Sequence, residues 1–357
     1  GNIVFLPVDR STGAVLQAWF TSEQQAQPTF IDTSIHQLDL EYHREFALSD
    51  SNRLTLGTGY RRIQSDLFGD DPTFADFEPQ FVTQDTFRGY ALDKLALPDW
   101  NAELTLGLTL EHNDFTQFEL QPTARITWTP SADMVLWSAV SRAVRTPSLE
   151  ERTLSSGSFY VGSDEFRAEE LMAYELGARA LLSPSASLDL ALFFNDYDHL
   201  HFQEDNGLGQ FLLTNDARGK AYGAELAIDV KPTERWTLRS AYSFVRGEYE
   251  SVASGSDLST DEYYPQHQFN LRSYYDLGED WELDSAVYLV EKMGPAFDIA
   301  EYVRVDVRLG WRPYPGVECF VGVQDVNDAT HSEFSDTDLV RRALVVGLNW
   351  APSMDEE

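Results

Sequence analysis

Residues 103–111 read Glu-Leu-Thr-Leu-Gly-Leu-Thr-Leu-Glu, with Leu104, Leu106, Leu108 and Leu110 at the even positions and Glu103, Thr105, Gly107, Thr109 and Glu111 at the odd ones. Successive side chains of an extended chain point to opposite faces, so this is a strand with one apolar and one polar side. The same period recurs from Tyr302 to Trp311, where Val303, Val305, Val307, Leu309 and Trp311 alternate with Arg304, Asp306 and Arg308. It appears again in Leu38/Leu40/Tyr42, in Phe269/Leu271/Ser273/Tyr275 and in Leu344/Val346/Leu348/Trp350. No helical stripe competes with it.

Reading outward in both directions gives sixteen or seventeen such segments, near 2–6, 13–21, 34–48, 53–66, 84–96, 102–115, 118–129, 133–145, 169–183, 186–202, 217–230, 235–249, 264–277, 281–292, 301–312, 317–328 and 339–351. Their connections alternate in length. Short turns fall at 49–52, 98–100, 130–132, 184–185, 232–234, 278–280 and 313–316, whereas roughly 67–83, 146–168, 203–216, 250–263 and 329–338 are long. Tight turns at one end of a sheet and long loops at the other are the arrangement of a transmembrane β-barrel, turns periplasmic and loops outside. Segments of 12 to 17 residues exceed ordinary globular strands and can cross a bilayer at a tilt. Trp100, Trp128, Trp236, Trp281, Trp311 and Trp350 sit near the turn-side ends, as an interfacial girdle does.

The expected fold is all-β, a transmembrane antiparallel β-barrel to which residues 1–351 contribute about 16–17 strands, with an acidic C-terminal tail over 352–357. In an even-stranded antiparallel barrel the first and last strands run in opposite directions. Here both are expected to descend, so at least one further strand is expected before Gly1. The composition agrees with a membrane barrel. Of 357 residues, 43% are apolar and 13% aromatic, too many for a disordered acidic chain. With 26 Lys+Arg against 59 Asp+Glu the net charge is −33, which argues against a nucleic-acid partner. No run of about 18 uncharged apolar residues supports a helical span, and the single cysteine, Cys319, excludes an internal disulfide framework. There is no nucleophile elbow, phosphate-binding glycine loop or HExxH, so nothing points to an enzyme.

Several short pieces carry a family resemblance. They are Ser141-Arg142-Ala143-Val144-Arg145-Thr146-Pro147-Ser148 at a strand end, Tyr174-Glu175-Leu176-Gly177 opening the next, and the stretch NDARGKAYGAE from Asn215 to Glu225. PQHQFNLRS from Pro265 to Ser273, Trp311-Arg312-Pro313 and Gln324-Asp325-Val326-Asn327-Asp328 follow. In this order they resemble the TonB-dependent outer-membrane receptors, over most of residues 34–350. The resemblance implies a barrel of about 22 strands, the bacterial outer membrane, and an N-terminal plug pulled by the periplasmic TonB energy-coupling complex. It further implies energised uptake of a scarce metal chelate, with a ferric siderophore as the family's commonest cargo. The plug is not within these residues, and the chain closes on Trp350-Ala351-Pro352-Ser353-Met354-Asp355-Glu356-Glu357 rather than on an aromatic. Alternatives are a passive outer-membrane channel, or a receptor for cobalamin, haem or a saccharide. Outer-membrane lipid is the remaining expected partner.

Four groups of residues are candidate sites. The loop from Asp66 to Asp85 holds six acids, Asp66, Asp70 and Asp71 among them, interleaved with phenylalanines. Such oxygen-rich loops can hold a structural Ca²⁺, although the spacing is not that of an EF-hand and a solvated acidic loop is the plainer reading. No other cofactor is expected, and an acidic mouth repels a highly anionic ligand. In the loop 146–168, Phe159 and Tyr160 lie near Arg145, and Tyr263 and Tyr264 form a second aromatic pair. Aromatics with arginine could stack on and pair with a chelate, or they could pin the loops to their neighbours. His199 and His201 are spaced to share a strand face and a metal, or are ordinary polar residues at a strand's outer end. Arg304, Arg308 and Arg341 are expected to face a water-filled lumen and pair with acids of the plug or wall.

Overall fold

The alternating segments form strands in a computed structural model that describes residues 3–5, 8–9, 13–27, 31–69, 75–157, 160–258, 264–294, 298–333 and 339–351. Sixteen are long: β1 (Ala14–Gln27), β2 (Ile31–Ser49), β3 (Asn52–Gly69), β4 (Phe81–Leu97), β5 (Ala102–Asn113), β6 (Gln117–Ser131), β7 (Met134–Arg145) and β8 (Glu169–Ser183). The second half comprises β9 (Ala186–Asp205), β10 (Phe211–Thr233), β11 (Trp236–Ser251), β12 (His267–Asp276), β13 (Trp281–Val290), β14 (Tyr302–Tyr314), β15 (Val317–Gln324) and β16 (Ala343–Trp350). Each pairs antiparallel with the next in chain order. Residues 3–5 and 8–9 pair along the free edge of β1. Among the described residues no ladder joins that edge to β16. Among the described residues no helix is long and apolar enough to cross a membrane.

The expected sorting of connections holds, with two revisions. β9 runs to Asp205 and β10 starts at Phe211, so the loop expected over 203–216 shrinks to five residues. Above the bilayer the backbone still needs hydrogen-bond partners, and extending the hairpin provides them. For the same reason the segment expected as loop 329–338 contains part of a small hairpin, Thr330–Ser332 against Leu339–Arg341.

The two faces are inverted relative to a soluble protein. Large apolar side chains stand on the outside: Val346 is 73% exposed, Leu348 67% and Leu108 46%. The turn-side tryptophans point the same way, with Trp281 stacked on Trp311 at 5.7 Å. Polar groups face the lumen and are paired there. Asp39 is buried and accepts from Arg61 Nε at 2.6 Å and Gln37 Nε2 at 2.5 Å, because an unpaired buried carboxylate would be costly. Tyr90 donates to Glu41 at 3.0 Å. Arg308 reaches Asp284 at 2.8 Å and Glu318 at 2.6 Å, and Arg304 meets Asp306 at 2.9 Å, as expected of a wall that satisfies its own charges. Arg341 departs from expectation. It lies in the small hairpin above the wall and not on it, since β16 starts two residues later.

Glycines let lumen-side rings lie flush across the neighbouring strand. Gly177 pairs with Trp137, and a Cβ there would sit 2.3 Å from the indole. Gly219 pairs with Tyr249, where a Cβ would come within 2.1 Å of the ring. Both belong to the motif stretches noted above, so those glycines have a packing role. Gly177→Ala should therefore destabilise the barrel by about 1–3 kcal/mol, read as a lower denaturant midpoint. Combined with Trp137→Ala, it should add little to the loss caused by that change alone.

Candidate functional site

The mouth is built from the connection between β7 and β8. Ser148-Leu149-Glu150-Glu151 has the S-x-x-E spacing of a capping box, and the box forms. Ser148 Oγ accepts from Glu151 N at 3.2 Å while the Glu151 carboxylate accepts from Ser148 N at 2.7 Å. It starts the short helix α1 (Leu149–Thr153). After α1 the chain pairs antiparallel, Leu154 with Phe77 and Gly157 with Ala75, which stitches this loop to the one between β3 and β4. Glu78 N donates to Thr153 O at 2.9 Å. Phe77 and Leu67 are buried with Leu149 and Leu154 packed on them. Leu67 alternates with the outward Phe68, so it points inward, and both loops fold into the mouth. Farther on, Tyr160 and Val161 pair in parallel with Phe211 and Leu212 of β10. Arg152 donates to Phe166 O at 3.0 Å and lies 5.1 Å from the Phe115 ring.

Arg145 is the keystone. Its Nε and one terminal nitrogen donate to Glu169 at 2.8 Å each, and its two terminal nitrogens donate to Glu151 at 3.1 and 2.7 Å. Four of about five guanidinium N–H groups are thus engaged. His201 completes the cluster, with Nδ1 2.9 Å from Glu151 and its backbone N–H donating to Glu169 at 2.8 Å. The Glu151 side chain is 8% exposed. Burial pushes its pKa up, but Arg145, the Ser148 backbone N–H and His201 outweigh burial and lower it to about 2. That lies below the unfolded value near 4.3. The contribution is therefore complete above about pH 4.3 and is lost as pH falls toward 2. A spin label on Glu150→Cys in a Cys319→Ser background should stay immobile from pH 7 to about 5 and gain mobility between about 4 and 2.

The remaining expected residues scatter. Tyr160 is 41% exposed at the rim, its ring 6.0 Å from Phe211. Tyr264 lies within electrostatic reach of Tyr249, whose ring is 6.2 Å from Tyr197. Asp66 sits in β3 opposite Ser34 on the outward side. Among the described residues no three acids, histidines or cysteines are grouped to hold a metal. Phe159, Tyr263, Asp70 and Asp71 lie outside the described residues, as does the tail 352–357. The two histidines do not share a face. His199 has φ 54° and the β9–β10 register shifts on both sides of Leu200, and such a bulge breaks the alternation.

Other motif residues are clamps the alternation could not reveal. Asn215 accepts from Arg167 N at 2.6 Å and donates to His199 O at 2.7 Å, tying the end of the mouth loop to the bulge. Asn327 accepts from Val305 N at 2.8 Å and donates to Val303 O at 2.6 Å. Asp325, with φ 58°, ends β15 and meets His331 Nδ1 at 2.9 Å, while His331 Nε2 meets Glu333 at 2.8 Å. These bonds fix the connection after β15 against the wall of β14.

The strands thus form a polar-lined wall with tight turns at one end and mutually stitched loops at the other. The sequence matches the family described as TonB dependent receptor-like, beta-barrel, over residues 8–326. The chain belongs to the TonB-dependent receptor β-barrel family. Solved structures with this fold include the ferric enterobactin receptor PfeA of Pseudomonas aeruginosa as a mutant, with TM-score 0.78 and 16% identity over 98% of this chain and 60% of that one. The siderophore receptor PirA of Pseudomonas aeruginosa gives 0.75 and 17%, over 98% and 62%. The FrpB iron transporter of Neisseria meningitidis gives 0.79 and 14%, over 98% and 62%. This TonB-dependent receptor chain thus spans about 60% of the length of such neighbours. The family comprises receptors, and the chain's motif residues act within it as anchors of the mouth.

Proposed function

We propose that this barrel is the outer-membrane part of a Gram-negative receptor that binds a ferric siderophore or similar chelate at its mouth. The chelate would pass through the lumen when the TonB complex moves the plug. The observation that carries this reading is the inward-folded cap. Two loops from opposite sides of four strands, 75–77 and 154–157, form one ladder over the lumen. A passive channel would gain nothing from such a cover. The names of the structural neighbours, two siderophore receptors and an iron transporter, support iron chelates as the cargo class. Tyr160 and Tyr264, with Phe159 and Tyr263, are the proposed contact residues, and Arg145 holds the loop that carries Phe159 and Tyr160 through Glu151 and Glu169. Arg145→Ala combined with Tyr160→Ala should weaken chelate binding.

The test is uptake of radioactive ferric chelates by iron-starved cells whose only receptor is the full-length protein. Uptake of one chelate that stops when the proton-motive force is dissipated supports the proposal. Uptake that persists without it favours the passive channel.

A further inference from the structure

The connections at the mouth end of the strands carry twenty acidic side chains against five basic ones. Residues 325–342 alone hold Asp325, Asp328, Glu333, Asp336 and Asp338 against Arg341 and Arg342. Among the described residues, four arginines at or beside the mouth are engaged internally. Arg145 is taken by Glu151 and Glu169, and Arg304 by Asp306 and Glu333. Arg342 donates to the carbonyls of Asp325 at 2.9 Å and Val326 at 3.0 Å. Arg152 donates to Phe166 O. A cleft lined by one sign of charge focuses its field on whatever enters.

Within this acidic rim stands an exposed apolar patch. Tyr160 is 41% exposed, Phe211 40% and Leu208 83%. The patch is held firmly: residues 160–161 pair with 211–212, and the hairpin tip is closed by Asn206 N to Gln210 O at 3.0 Å and by Leu208 N to Asn206 Oδ1 at 2.8 Å. Aromatic faces attract cations and flat groups and offer nothing to an anion.

We infer that the ligand of this mouth is a chelate of zero or positive net charge, received on the Tyr160 and Phe211 faces. This inference rests on the reading of the protein as a chelate receptor. It separates this barrel from one suited to a triply negative tris-catecholate, which twenty acids against five bases would repel.

The test uses the full-length receptor in detergent, with intrinsic fluorescence as the readout and three ferric probes. One is a linear tris-hydroxamate carrying a free ammonium, one a neutral cyclic tris-hydroxamate, and one a tris-catecholate. The singly positive and neutral complexes should bind, the tris-catecholate at least about 100-fold more weakly at low salt. Affinity for the positive complex should fall several-fold between about 50 and about 500 mM salt. Tyr160→Ala with Phe211→Ala should weaken the positive complex about 10-fold. Tris-catecholate binding as tight as the others overturns the charge inference and leaves the receptor reading intact. An unaffected double variant overturns the assignment to Tyr160 and Phe211. If none of the three binds, the chelate-receptor reading falls and this inference with it.

Discussion

Arg145→Ala should release the cap over the mouth while leaving the barrel folded. The change leaves Glu151 and Glu169, 8% and 16% exposed, facing each other with no cation between them. Breaking a buried pair by removing one partner costs about 3–5 kcal/mol. Arg145 itself is 46% exposed, so solvent takes over part of its role and about 2–3 kcal/mol is the fitting magnitude. That is about a 30- to 150-fold rise in local opening. It should appear as faster amide exchange across 149–157 and the paired 75–77, with the exchange of β5 and β6 unchanged. Arg145→Lys should restore only part of the protection, because an ammonium cannot bond two carboxylates bidentately. Unchanged exchange in Arg145→Ala would show that the hydrophobic contacts of Phe77, Leu67, Leu149 and Leu154 hold the cap without the ion pairs.

Leu108→Arg should destabilise the membrane-inserted barrel by about 2–4 kcal/mol, whereas the same change one residue on, Thr109→Arg, should cost under about 1 kcal/mol. Leu108 stands on the outer face near the middle of β5, 46% exposed, where lipid would surround the guanidinium. Thr109 pairs with Tyr90, which faces Glu41 in the lumen, so an arginine there meets water and acids. Refolding of both variants into lipid vesicles, with urea unfolding followed by tryptophan fluorescence, gives the two values. Equal costs would mean that β5 does not present alternate residues to lipid and lumen.

The contrast between these two predictions tracks what could be read before any coordinates. The strand at 103–111, the girdle of tryptophans and the sorting of turns from loops were legible because they depend on alternation, which is local. The cap was not foreseen, although the S-x-x-E spacing of Ser148 and Glu151 is the local signal that could have found its helix. The shared face of His199 and His201 fails for the opposite reason, because nothing in the residues themselves announces the bulge that turns His201 toward Glu151. Gly177 and Gly219 were noticed as parts of motifs, but their purpose depends on Trp137 and Tyr249, some 30 to 40 positions away.

By itself, then, the sequence determined which face of each strand meets lipid and which end carries the loops, because side-chain direction in a strand follows from position parity alone. Only the tertiary structure decided that Arg145, Glu151, Glu169 and His201, drawn from a strand end, a helix, the next strand and a bulge beyond it, close on one another. Their meeting is fixed by register and by a broken alternation, and both arise from pairing between distant segments.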